Sequence, residues 1–201
     1  MTSRDDTRRP IDVKRQQKQA NRDAMVESAG GLFATVGFAG TTMEAVAAGA
    51  GMSVQSVYFA FGTKAALLRA AIERATPAPT GRIAESDADR ALTILVDEAV
   101  RALDATGALA LAATSAAGAD EAVEEVCAWQ DAARSQAATH LVHRLRALRP
   151  LARGVTTRRA SDVVYGVLSP QLHAVLVRER GWPSKRYAAW AADLVGRALW
   201  G

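Results

Sequence analysis

Apolar residues in this chain recur at spacings of three and four, and nowhere do they alternate with polar ones over the length of a strand. That periodicity belongs to helices, whose faces realign every 3.6 residues, whereas a strand realigns every two. Alanine fills 44 of the 201 positions. It is the best helix former and is depleted from strands, so composition and periodicity agree on an all-α fold. With 49% hydrophobic and 23% charged residues there is ample material for a core, which excludes a disordered or fibrous chain. Cys127 is the only cysteine, so no internal disulfide staples the molecule. The start is polar without an apolar signal segment, and the uncharged stretch 105–119 is too short and weakly apolar to span a bilayer. The chain reads as cytoplasmic, with no membrane partner.

Proline divides it. The stretch Thr76-Pro77-Ala78-Pro79-Thr80-Gly81 ends helices and is the clearest linker. Three parts follow: a flexible basic arm over 1–21, a small helical bundle over 22–75, and a larger helical domain over 82–201. Residues 1–22 carry seven cations against three carboxylates, which accounts for the whole net charge of +4. A basic arm on a neutral body fits a polyanion partner such as DNA.

In the bundle, Met25, Ala29, Leu32, Phe33 and Val36 form the stripe of a first helix that Gly37 and Gly40 bring to an end. Thr41-Thr42-Met43-Glu44 reads as a capping box, with Thr41 as N-cap and Glu44 three residues on. A short second helix runs to about Ala48, Gly49-Ala50-Gly51 breaks it, and Ser53 caps a third. Gly62-Thr63 ends that one and caps a fourth, Lys64 to about Arg74, burying Leu67, Leu68 and Ile72. Residues 42–61 thus have the layout of a helix-turn-helix. Val57 and Phe61 face inward and Val54, Gln55, Ser56 and Phe59 outward, so the start of the third helix is offered to a major groove. Glutamine can pair with both N6 and N7 of adenine, and Ser56 suits base edges as well. Thr41, Thr42 and Thr63 stand at helix N-termini, where hydroxyls, free N–H groups and the dipole favour a phosphate. Tyr58 and Lys64 add a hydroxyl donor and a cation.

The pattern Phe33-x3-Gly37-Phe38-x2-Thr41-Thr42-x3-Val46-Ala47-x2-Ala50-Gly51-Met52-Ser53-x3-Val57-Tyr58-x2-Phe61-x-Thr63-Lys64-x2-Leu67-Leu68 resembles the DNA-binding domain of the tetracycline-repressor (TetR) family of transcriptional regulators. The resemblance covers roughly residues 22–74. It implies phosphate contacts from Thr42, Tyr58 and Lys64, and groove contacts from Ser53, Gln55, Ser56 and Phe59. The chain departs from the family pattern at Ala60, commonly larger, and at Gly49, commonly charged. The resemblance further implies a C-terminal helical domain that dimerises and holds a small-molecule pocket.

That larger part reads as helices near 84–105, 107–117, 120–147, 157–180 and 184–199. A homodimer is expected through the last two, where Val163, Val164, Val167, Leu168, Leu172 and Val175 on one and Trp190, Leu194 and Ala198 on the other carry excess apolar surface. Trp129, His140, His143, Tyr165, His173 and Cys127 bring polar tips into alanine-rich helices and are candidate contacts for a small hydrophobic effector. His140 and His143 share a helical face but have no third ligand at matching spacing, so neither metal nor cofactor is expected. No G-x-S-x-G elbow, phosphate-binding loop or H-E-x-x-H is present, which points away from an enzyme. The expected function is a sequence-specific DNA-binding regulator, a ligand-inducible repressor acting as a homodimer on a pseudo-palindromic operator. The competing readings are a TetR-like activator and a helical adaptor whose bundle never meets DNA.

Overall fold

The computed structural model describes residues 10–78 and 86–201, and among them every regular element is helical. In chain order these are α1 (Pro10–Gly40), α2 (Met43–Ala50), α3 (Val54–Phe61), α4 (Lys64–Ala75), α5 (Ala88–Ala116), a 3₁₀ turn (Ala117–Ala119), α6 (Glu121–Leu148), α7 (Thr157–Val167), α8 (Pro170–His173) running into a π-helical turn (Ala174–Glu179), and α9 (Ser184–Trp200). Two compact units part between Ala71 and Ile72, inside α4 and before the proline-rich stretch. The reason lies in the last turn of α4, where Ile72 and Thr76 line a cavity together with α5, α6 and α7.

The first unit corrects the expected start and end of α1. The helix reaches back to Pro10, so residues 10–21 are helical rather than a flexible arm; residues 1–9 lie outside the described ones. Proline at the first helical position loses no hydrogen bond, and the Lys, Arg and Gln that follow are good helix formers. Gln17 Nε2 donates to Asn21 Oδ1 and Gln19 Nε2 to Asp23 Oδ1, each one turn on. At the other end Gly37 takes φ 75° and ψ 179°, which kinks the helix. The apolar stripe therefore changes course: Val36 is exposed, while Phe38 is buried and stacks on Phe33 with ring centroids 5.8 Å apart.

In the second unit, α5, α6, α7 and α9 enclose one core. Leu92, Val96 and Val100 of α5 meet Val142 and Leu145 of α6, Val164 of α7, and Tyr187, Val195 and Leu199 of α9. The helices expected at 84–105 and 107–117 are one continuous α5 from its N-cap Asp87. Thr106 turns its hydroxyl back onto Ala102 O, 2.7 Å away, and Gly107 is buried within the helix, so nothing between them frees the backbone. The helix expected over 157–180 is broken instead. Pro170 offers no N–H, and Ser169 adopts an extended backbone and caps α8 through Leu172 N.

That break leaves α7 with orphan carbonyls, and one is claimed from across the core. Tyr187, with no exposed surface, donates its hydroxyl proton to Val167 O and packs edge-on against His173. Burial pushes its hydroxyl up from 10.0 to about 12. The folded protein thus holds this proton to higher pH than the unfolded chain does, and the stability that the neutral hydroxyl contributes is lost as pH climbs from about 10 to about 12. Tyr187→Phe is expected to cost about 1–3 kcal/mol at neutral pH by leaving a buried carbonyl unsatisfied. Urea titrations between neutral and alkaline pH check both points, since the variant also loses this part of the alkaline decline.

Candidate nucleic-acid interface and ligand cavity

Three hydroxyl-capped helix starts build the exposed face of the first unit. The structure moves the cap of α2 one residue on from Thr41: Thr42 is the N-cap and accepts from Ala45 N at 3.1 Å. Thr41 is 0% exposed and donates its own hydroxyl to Gly37 O at 2.7 Å, because the kink frees that carbonyl. Thr41 therefore offers a phosphate nothing. Ser53 caps α3, accepting from Ser56 N at 3.1 Å and sharing a 2.8 Å hydrogen bond with Ser56 Oγ. Thr63 Oγ1 accepts from Ala66 N at 3.0 Å at the start of α4. The Thr42 and Thr63 hydroxyls each accept one backbone N–H and retain a proton to donate outward.

The turn between α2 and α3 is tight for a local reason. Gly51 takes φ 66°, and Met52 N donates to Ala47 O at 2.9 Å, which closes α2 in a left-handed cap. Gly49 has a different role from its neighbour. A β-carbon there would lie 2.3 Å from Ser28 Oγ, which donates to Val46 O at 3.0 Å. Glycine at this position leaves room for the Ser28 hydroxyl between α1 and α2.

As expected from their spacing, Val57 and Phe61 are buried. Phe59, at 86% exposure, stands furthest out, with Tyr58, Gln55 and Ser53 exposed and Ser56 half-buried. The basic stretch of α1 faces this surface. Lys14, Arg15, Lys18 and Arg22 line a cleft of about 870 Å³ with Ser53, Gln55, Ser56 and Phe59. Arg22 also reaches Ala60 O at 2.8 Å and lies 4.1 Å over the Phe61 ring, which ties α1 to the end of α3. A contact made through the Ala60 carbonyl needs no larger side chain at that position.

Lys64 carries an additional task that the sequence did not show. Its ammonium donates to Phe38 O at 2.8 Å and Thr41 O at 2.9 Å and sits 4.2 Å over the Phe38 ring. Phe38 O also accepts from Thr41 N at 3.3 Å, and a cation at this C-terminal end of α1 suits the negative end of the dipole. The bond from Lys64 to Phe38 O spans 26 residues, and no local periodicity signals it.

Within the second unit lies a largely apolar cavity of about 330 Å³. Of the effector candidates, Trp129 and Tyr165 line it. His140 and His143 are exposed on α6 and line neither it nor its neighbours. His173 is a core residue, its Nε2 2.9 Å from Asp104 Oδ1, an oxygen that also accepts from Ser184 Oγ at 2.8 Å. Cys127 lines an adjoining, more polar cavity of about 430 Å³. Arg134, unremarked in the sequence, borders both cavities. Its guanidinium lies 4.3 Å from the Tyr165 ring centre, 3.2 Å from Tyr165 O and 3.8 Å from Asp131 Oδ1. Tyr165 donates its hydroxyl to Asp131, and that bond first, with burial second, raises its pKa above the ordinary tyrosine value.

Residues 26–71 match the family model described as bacterial regulatory proteins, tetR family. The N-terminal unit is a tetR-family domain. The fold of the whole chain is also that of TetR-family regulators. NalD of Pseudomonas aeruginosa, the secondary repressor of the MexAB-OprM multidrug efflux pump, aligns with a TM-score of 0.66 at 22% identity over 90% of this chain and 98% of its own. The fatty acid degradation regulator FadR of Bacillus halodurans aligns with 0.61 at 18% identity over 87% and 93%. The transcriptional regulator FadR of Bacillus subtilis, solved with stearoyl-CoA, aligns with 0.64 at 12% identity over 88% and 98%. No curated protein matches the sequence significantly.

Because two charge-assisted hydrogen bonds are lost, Lys64→Met is expected to lower the stability of this tetR domain by roughly 2–4 kcal/mol. Chemical denaturation followed by circular dichroism measures it. A variant as stable as the parent would remove the carbonyl clamp from the account.

Proposed function

We propose that this protein is a homodimeric transcriptional repressor of the cytoplasm that releases a pseudo-palindromic operator when a small hydrophobic effector binds. The observation that carries the reading is the surface at the start of α3. Gln55, Ser53, Ser56 and the outstanding Phe59 form one exposed face, bordered by the hydroxyl caps Thr42 and Thr63, by Tyr58, and by the cations of α1. A helix so presented fits the major groove, where Gln55 pairs with adenine edges and the Phe59 ring contacts a thymine methyl. The caps and cations grip phosphates on either side, and Lys64 contributes chiefly by holding the ends of α1 and α4 in register.

Dimerisation follows from apolar surface that the monomer leaves open. Val164 and Val167, expected at the subunit contact, are buried in the monomer core, and Val163, Leu168, Leu172, Trp190 and Ala198 are partly covered by it. Val175 of the π-helical turn and Leu194 of α9 stay exposed and support a twofold contact through this region. Repression requires no more than occupancy of the operator, and the similar NalD is a repressor. The effector reading draws on the apolar cavity and on the similar FadR seen with stearoyl-CoA. An effector acts by preferring the arrangement that binds DNA poorly, with a coupling of about 1–3 kcal/mol.

Footprinting and gel shifts on the DNA flanking the protein's own gene test the reading. A protected inverted repeat occupied by two chains is expected. Gln55→Ala should weaken binding to that site by about 1–3 kcal/mol while leaving random DNA nearly unaffected. Equal losses on both would take Gln55 out of base reading, and indifference to every duplex would sink the regulator altogether.

A further inference from the structure

The walls of the C-terminal cavity state which chemistry they accept. Alanines of α5 and α6, Ala102, Ala133 and Ala137 among them, leave the space open and present only methyl groups to it. Two threonines in the lining do not make it polar. Thr76 Oγ1 donates to Ile72 O at 2.8 Å and Thr106 Oγ1 to Ala102 O at 2.7 Å, so each hydroxyl is turned to its own helix. An apolar body loses nothing against such walls and removes its surface from water.

At the border with the adjoining cavity the chemistry changes. Among the described residues Arg134 is the one cation lining either space, and Gln130 lines both as well. The guanidinium is oriented but not saturated. It lies over the Tyr165 ring and gives one long hydrogen bond from each terminal nitrogen, to Tyr165 Oη at 3.4 Å and to Tyr165 O at 3.2 Å, which fix its plane and leave further N–H groups. Its carboxylate neighbour Asp131 lies at 3.8 Å, beyond hydrogen-bond distance and largely exposed. The Asp131 oxygen is engaged by the Tyr165 hydroxyl. A planar fork held half-buried beside an apolar chamber suits a carboxylate, which it meets through two parallel hydrogen bonds.

We propose that this cavity binds an amphipathic organic anion, with its apolar body between α5 and α6 and its carboxylate on Arg134. The proposal deepens the effector reading above and rests on it only for the consequence at DNA. Gln130 offers an amide donor to the second carboxylate oxygen, and the polar adjoining space admits whatever extends beyond the head group.

The test titrates the protein, by calorimetry and by tryptophan fluorescence, to which Trp129 of the lining contributes, with decanoate and with decanol, which share an apolar body and differ in charge. Decanoate should bind at least about tenfold more tightly, as a charge-assisted hydrogen bond supplies. Arg134→Gln should abolish that preference yet keep decanol binding within about twofold, which also shows that the variant is folded. Ala102→Leu, which fills the chamber, should weaken both ligands. Equal binding of the two by the parent protein, a preference that survives Arg134→Gln, or binding of neither would overturn the assignment. If decanoate binds through Arg134 and operator affinity does not change, the site stands and the effector reading fails.

Discussion

At the end of α1, the Lys64 ammonium donates to both Phe38 O and Thr41 O. The surface proposed to meet DNA depends on this clamp. Gly37 kinks the helix, and Phe38 lies buried beyond the kink, stacked on Phe33. With α1 and α4 joined in this way, the short α2 and α3 between them have little freedom. Neither is long enough to be stable alone in water, so their order comes from packing on Val46, Val57 and Phe61 and from the caps at each start.

Small residues serve two purposes in the two units. At Gly49 the absence of a β-carbon leaves room for the Ser28 hydroxyl of α1, which donates to Val46 O of α2. In α5 and α6, alanine has the opposite consequence. Ala102, Ala133 and Ala137 keep the helices regular at no propensity cost while leaving space that larger side chains would have filled. One residue type thus favours both helix formation and the opening of a cavity. Larger side chains, Leu92, Val96, Val142, Leu145 and Tyr187, are buried together elsewhere in the same core.

Much of the candidate interface was legible in the sequence because its signals are local. Caps, glycine turns and the alternation of Gln55, Val57, Phe59 and Phe61 between outside and inside all act within one or two turns of helix. Legibility failed where a partner was remote. Thr41 and Thr42 are equally good caps by composition, and only the burial of Thr41 against Gly37 O decides between them. Residues 10–21 carry helix formers and no breaker, yet their charge density made them resemble an arm. His173 resembles a ligand contact in the sequence, but it is buried against Asp104, far away in the chain, whose Oδ1 also accepts from Ser184. Arg134 showed no signal at all, since an arginine on an amphipathic helix is ordinary.

By itself the sequence determined the helical class, the position of the helix-turn-helix and the side chains it turns outward, since propensity, capping and the 3.6-residue period depend on near neighbours alone. Tertiary structure alone decided that Lys64 closes the end of α1, that Pro170 divides α7 from α8 with Tyr187 covering the gap, and that Arg134 borders an apolar chamber. Those outcomes depend on which orphan carbonyl or unfilled space a distant side chain happens to reach, and that distance is set only when the helices pack.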